Sequence, residues 1–220
     1  MYSFTEENYI KTIYKLSASG AQEVNTNALA DALDMRAASV TDMLRKLSAK
    51  NMVHYVKYRG VTLTEAGERV ALQVIRKHRL WEVFLVDKLK FSWDEVHDVA
   101  EELEHVTSEL LTKRLDEFLG HPRFDPHGDP IPSETGEINQ PKQKLLAAME
   151  IAEAGTVVGV NDSQPLFLKY LDKMGISLGS KIKVTDKIPY DNSIEINLEG
   201  GKTILVSYEV SNNLYLASGE

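Results

Sequence analysis

The nonapeptide His97-Asp-Val-Ala-Glu-Glu-Leu-Glu-His105 packs two histidines and four acidic residues into nine positions. On an α-helix, residues four, seven and eight apart return close to one face. His97, Glu101, Glu104 and His105 have that spacing and form a single stripe, whereas Asp98 and Glu102 fall on another side and read as solvated. A preceding helical segment supplies His78 and Glu82, again four residues apart. A lone pair of this kind is ordinarily an exposed ion pair. Two stripes on consecutive helices, with no Lys or Arg in the second, call for a cation to balance them. Adjacent helices that each present a His/Glu stripe can enclose metal, as di-metal helical bundles do. Imidazole and carboxylate donors suit manganese(II), with iron(II) as the alternative and zinc(II) or cobalt(II) able to substitute. The chain has no cysteine, which excludes disulfides and thiolate metal sites.

The elements that must position these residues read as follows. Residues 4–17 carry Tyr9, Ile10, Ile13, Tyr14 and Leu16 at helical spacing. After a polar loop comes a short helix over 26–33, opened by Asn25 or Thr26, and a second over 38–51 with Val40, Met43, Leu44 and Leu47 on one face. Two β-rich runs in 52–64, parted by Tyr58-Arg59-Gly60, predict a hairpin. Helix, short helix, turn, helix, hairpin is the order of a winged helix-turn-helix. A long helix follows from Thr64, and Ser92 with Glu95 makes a capping box ahead of the nonapeptide. Another helix spans about 107–119. The turn-forming segment 120–137 reads as a domain linker. A short helix near 141–153 is expected next, then alternating apolar runs that predict a small β-barrel or meander of about 65 residues.

Charge is segregated along the chain. The net charge is −8, yet residues 36–59 hold six Lys/Arg against one acid, Asp42, while 92–120 hold nine Asp/Glu against two bases. With 38–51 as recognition helix, Arg36, Ala38, Ser39, Thr41 and Asp42 face the major groove of double-stranded DNA. Arg36 suits a guanine edge and the Ala38 methyl a thymine methyl. Ser39, Thr41, Thr26 and Arg59 suit phosphates, and Arg45, Lys46 and Lys50 thicken the positive field. Winged helices also serve as protein-interaction modules. No run approaches membrane-spanning length and MYSFTEENYI carries no basic leader signature, so a cytoplasmic protein without a membrane partner or organic cofactor is expected.

Three pieces in order, KHRLWEVFLVDKL (77–89), EVHDVAEELEHV (95–106) and DPHGDPIP (125–132), behind a winged helix, resemble the diphtheria toxin repressor family of iron- and manganese-dependent regulators. The resemblance runs over essentially the whole chain. It implies a mainly α protein with a small β domain: a winged helix-turn-helix over 1–72, a helical metal-binding and dimerisation domain over 73–140, and an SH3-like, ferrous-transport-A-like β-barrel over 141–220. It further implies a homodimeric repressor on a palindromic operator of metal-uptake genes. By the family's pattern His78, Glu82 and His97 belong to an ancillary metal site, to which Asp162 or Gln164 of the β domain would lend a ligand. Glu101, Glu104 and His105 belong to the primary site with Asn8. Iron-responsive members have Cys at the Glu101 position and Met at the Asn8 position, so Glu101 favours manganese. Manganese members often have Asp at position 8, and some short ones have a Glu ligand where this chain has Lys11. Two rivals stand beside this reading: a winged-helix regulator with a non-metal effector, and a di-metal enzyme, for which the basic 36–59 segment has no use.

Overall fold

The computed structural model describes residues 2–18, 23–57, 59–139 and 142–218. The chain divides into two compact units, one of Met1–His78 with Glu102–Glu109 and Pro132–Glu137, the other of Arg79–Glu101 with Leu110–Ile131 and Ile138–Glu220. Helices α4 (Glu65–Asp87) and α5 (Val96–Leu103) contribute residues to both.

The first unit is a winged helix-turn-helix. Helix α1 (Phe4–Ala18) buries Tyr9, Ile10 and Ile13 against α2 (Thr26–Ala32) and α3 (Ala37–Ala49). Asn25 caps α2, its Oδ1 accepting the Ala28 N–H at 2.7 Å. Val40, Leu44 and Leu47 recur along α3 at four- and three-residue steps and are fully buried, which turns the opposite face of α3 to solvent. Strands β1 (Val53–Val56) and β2 (Gly60–Leu63) form the antiparallel wing, with Val53 opposite Leu63 and Val56 opposite Gly60. Of the expected tip residues, Tyr58 lies outside the described residues, as does Pro141 at the start of the expected 141–153 helix. Helix α4 (Glu65–Asp87) starts where Thr64 Oγ1 accepts the Gly67 N–H at 3.0 Å.

The second unit holds two bodies of core. Leu80, Val83, Leu115 and Ile131 pack α4 onto α6 (Glu109–Leu119). The chain's C-terminal part is an antiparallel six-stranded sheet in the order β3-β8-β4-β5-β6-β7, formed by Lys144–Leu145, Leu214–Ser218, Ala154–Val160, Lys181–Ile188, Ser193–Leu198 and Thr203–Val206 respectively. Between β4 and β5 lies α7 (Pro165–Met174), and α8 (Tyr208–Ser211) precedes β8.

Three expectations are corrected. The segment 141–153 is not an α-helix: its described part is strand β3 and a single 3₁₀ turn, Leu146–Ala148. Leu146 and Met149 are buried in the sheet's core, so tertiary packing overrides their helical spacing. Helix α7, which the alternating β pattern hides, carries Pro at its first position and left-handed Gly175 (φ +80°) as C-cap, signals that were there to be read. The 120–137 segment is irregular but not a passive linker. Asp125 and His127 are buried in it, and Phe124 bridges Pro130.

Candidate metal centre

In the first unit, the chain after α5 (Val96–Leu103) brings Glu104 and His105 to the side of α1 that carries Glu7, Asn8 and Lys11. Glu104 is fully buried. Its Oε1 lies 2.6 Å from Lys11 Nζ and its Oε2 2.7 Å from His78 Nδ1. Burial pushes the Glu104 carboxyl up, but His78 and Lys11 outweigh that and hold it below the ordinary carboxylate range. His105 Nδ1 is 2.6 Å from Glu7 Oε2, and its Nε2 is 3.6 Å from Glu104 Oε1. A carboxylate that accepts one ring N–H fixes the tautomer and leaves the other nitrogen as a ligand, the arrangement typical of metal-binding histidines. Phe4 stacks on the same imidazole with centroids 4.8 Å apart.

Asn8 tests whether a cation fits here. Its Oδ1 is buried and has no hydrogen-bond partner among the described residues. An orphaned buried acceptor costs about 1–3 kcal/mol, and an amide oxygen is a good ligand for a hard divalent ion. The donor set of amide oxygen, carboxylate and imidazole therefore fits manganese(II) or iron(II).

The second unit holds another cluster. Ligand atoms of Glu82, Asp125 and His127, all buried, lie within 4.8 Å of one another. His127 Nε2 donates to the Trp93 carbonyl at 2.7 Å, which turns Nδ1 toward Glu82 Oε1 at 3.6 Å. Asp125 Oδ1 accepts the backbone N–H groups of His127 and Asp129 at 2.8 and 2.9 Å, while Arg79 Nε reaches Oδ2 at 3.4 Å. Burial first, then the charges of Glu82 and Asp129, push Asp125 up to about 7. For His127 burial works downward, but Glu82 and Asp125 outweigh it and raise it to about 9. The cluster is short of positive charge and draws in a proton, the demand a divalent ion would meet. Gly128 holds this loop against β4: at φ +87°, an added Cβ would sit 1.9 Å from the Val158 carbonyl oxygen. The Val160 N–H donates to His127 O at 2.9 Å.

The remaining expected ligands fall as follows. His97 Nδ1 is 3.4 Å from Glu82 Oε1, and Glu101 Oε1 is 3.7 Å from His97 Nε2 with the Glu101 side chain 49% exposed. His78 stands one helical turn before Glu82 on α4. Asp162 follows β4 by two residues and its Oδ1 accepts the Gln164 N–H at 2.9 Å, while Gln164 is exposed as N-cap of α7. Sequence reasoning missed Glu7, and it missed Asp125 and His127, which lie in the segment read as linker. For the latter pair, Asp-x-His in a proline-rich loop is the one signal that could have marked them.

The expected DNA-reading residues belong to the first unit. Thr26, Thr41 and Arg59 line a groove with Tyr55 and Lys57, and Arg36, the N-cap of α3, is exposed together with Ala38 and Ser39. Asp42 pairs with Arg45 at 3.2 Å on the exposed surface. Lys46 is also engaged: Lys46 and Lys50 Nζ lie 3.1 and 2.7 Å from Glu6 Oε1 of α1. Burial works to raise the Glu6 carboxyl, but Lys50, the Ser3 N–H and Lys46 outweigh it and bring it to about 2.

Among the described residues no helix is long and apolar enough to cross a membrane. Residues 1–61 match the iron-dependent repressor N-terminal DNA-binding domain, 64–133 the iron-dependent repressor metal-binding and dimerisation domain, and 144–217 the FeoA domain. The chain is 32% identical over 207 residues to the iron-dependent repressor IdeR of Mycobacterium tuberculosis, covering 92% of this chain and 88% of that one. It is 28% identical over 213 residues to the diphtheria toxin repressor of Corynebacterium diphtheriae, covering 92% of each. Among solved structures, a manganese-dependent transcriptional repressor in complex with manganese is 35% identical with a TM-score of 0.87, covering 97% of this chain and all of the other. The manganese regulator SloR is 29% identical with a TM-score of 0.76, covering 97% and 98%. The chain belongs to the diphtheria toxin repressor family of metal-dependent transcriptional repressors.

Proposed function

We propose that this repressor is activated by manganese(II), with iron(II) as second choice, and binds a palindromic operator of metal-uptake genes as a homodimer. The observation that carries this reading is the double use of α1. Adjacent residues face two ways: Glu7 holds the imidazole of His105, while Glu6 holds Lys46 and Lys50 of the recognition helix. Whatever orders the cluster at Glu104 and His105 is thereby felt at α3 through one rigid helix.

Asn8, Glu104 and His105 would hold one ion; Glu82, His97, Asp125 and His127 would hold another, with Asp162 as a further donor from beyond β4. A divalent ion supplies charge neutralisation and a fixed coordination geometry that the side chains alone lack. Glu7 orients the His105 ring, and the Trp93 carbonyl orients that of His127. On the DNA side, Arg36, Ala38, Ser39, Thr41 and Asp42 would meet bases and nearby phosphates, and Thr26, Arg45 and Arg59 the backbone. Dimerisation fits the apolar surface where Leu111 and Phe118, 41% and 64% exposed, flank Trp81 and Phe84. Metal and operator then favour the same arrangement, and each tightens the other's binding by linkage.

Manganese rather than iron is favoured by the oxygen-rich donor sets and the absence of any thiolate. The test is His105→Ala in a gel shift with manganese(II): the expected result is loss of metal-dependent DNA binding with the dimer intact. Unchanged metal dependence would overturn the assignment.

A further inference from the structure

The face of α1 that meets Glu104 brings a cation of its own. Lys11 follows Glu7 by four residues and Asn8 by three, so all three share one side of the helix. Lys11 Nζ lies 2.6 Å from Glu104 Oε1, with the two side chains 6% and 0% exposed. The other carboxylate oxygen faces His78 Nδ1 at 2.7 Å. Both oxygens of the most buried candidate ligand are therefore engaged by the chain itself, one of them by a fixed positive charge.

We propose that Lys11 is an internal competitor for the divalent ion at this cluster, and that it sets the free-metal concentration at which Glu104 and His105 load. The inference rests on reading the cluster as a metal site. A carboxylate buried as deeply as Glu104 cannot turn to water, so leaving it unpaired would be strongly unfavourable. Lys11 keeps it paired, and because it is tethered on the same unit its effective concentration is high and does not fall on dilution. An incoming dication must take Glu104 from this ammonium or share the carboxylate with it. Like charges a few ångströms apart in a poorly screened interior repel strongly. The flexible four-carbon stem of lysine lets the ammonium swing away when it is displaced, which a rigid guanidinium fork would do less readily. The affinity of the site is thus lower than its ligands alone would give.

The experiment uses full-length protein stripped of metal, in a His127→Ala background that disables the second cluster. Manganese(II) binding is followed by the EPR signal of the free hexaaqua ion. Lys11→Met is expected to tighten binding about tenfold or more, corresponding to about 1.4 kcal/mol. It is also expected to lower the melting temperature of the metal-free protein and to regain it with manganese(II). Lys11→Gln serves if the Met variant does not fold, with the same expectation. Unchanged or weaker binding in the folded variant overturns the proposal. Glu104→Ala separates the two levels. If it removes the bound ion while Lys11→Met has no effect, the metal site stands and the competitor falls. If Glu104→Ala binds manganese(II) as before, the metal reading of this cluster fails, and the competitor with it.

Discussion

The two His/carboxylate clusters use similar residues but are balanced in opposite ways. At Glu104 the protein supplies its own partners, Lys11 at 2.6 Å and His78 at 2.7 Å, and the carboxyl is held down despite complete burial. At Glu82, Asp125 and His127 carboxylates outweigh cations: Asp125 is pushed up to about 7 and His127 to about 9, so the cluster gathers protons. One cluster is pre-paired and joins α1 to the segment after α5. The other is under-compensated and joins α4 to a loop docked on the β domain. The same residue types thus give a gated site in one place and a charge-hungry one in the other, and only the surroundings distinguish them.

The sharpest way to break this comparison is to neutralise one carboxylate in each cluster. Glu104→Gln strands Lys11 in the interior and should cost about 3–5 kcal/mol of metal-free stability in urea denaturation. Asp125→Asn keeps an oxygen for the two backbone N–H groups and removes a repulsive charge, so at pH 8 it should cost less than about 1 kcal/mol. Equal losses would show that the two clusters are not balanced differently. Next in size, Glu7→Gln weakens the partner that orients His105 and should reduce manganese(II) affinity at that cluster about 10–100-fold, read by isothermal titration calorimetry, with the second cluster unaffected. Glu6→Gln should act on DNA instead: metal affinity stays while operator affinity shifts by about 1 kcal/mol, because α1 loses its grip on Lys46 and Lys50. The smallest effect is at Asp94, whose carboxyl is buried, against which burial works upward, but which Ser92 and Lys169 (3.2 Å) hold below the usual range. A depressed carboxyl stabilises above its unfolded value and loses that contribution as pH falls through its folded value. Asp94→Asn should therefore flatten the acid side of the thermal-stability profile, below about pH 4, and leave neutral pH little changed.

The winged helix was legible because every part of it is local: a 3.6-residue period in α1 and α3, Asn25 as cap, and a hairpin flanked by β-branched residues. The acidic helix in 97–105 was legible for the same reason only up to Leu103: α5 ends there, and Glu104 and His105 stand buried in the turn that follows, off the stripe their spacing implied. Contacts made through the fold were not legible. Glu7 and Lys11 lie more than ninety residues from the groups they meet, and no periodicity links them. Asp125 and His127 sit in a loop whose composition says turn; burial came from Gly128 seating it on β4, a close approach that nothing in the residues before it announces. Glu101, expected as a ligand, is exposed, with its carboxylate 3.7 Å from His97 Nε2. Helix α7 was lost among alternating strands although its Pro and Gly punctuation was present.

The central claim is that order at the Glu104–His105 cluster reaches the recognition helix through α1. The direct measurement is fluorescence anisotropy of the full-length protein on a labelled duplex selected from a random pool by the manganese-loaded protein, titrated in EDTA and in manganese(II), for wild type and Glu6→Gln. The account predicts wild-type binding tens of fold tighter with manganese(II) than with EDTA, and a smaller ratio when Glu6 no longer holds Lys46 and Lys50. Equal affinities in EDTA and manganese(II), or a ratio untouched by Glu6→Gln, would contradict it.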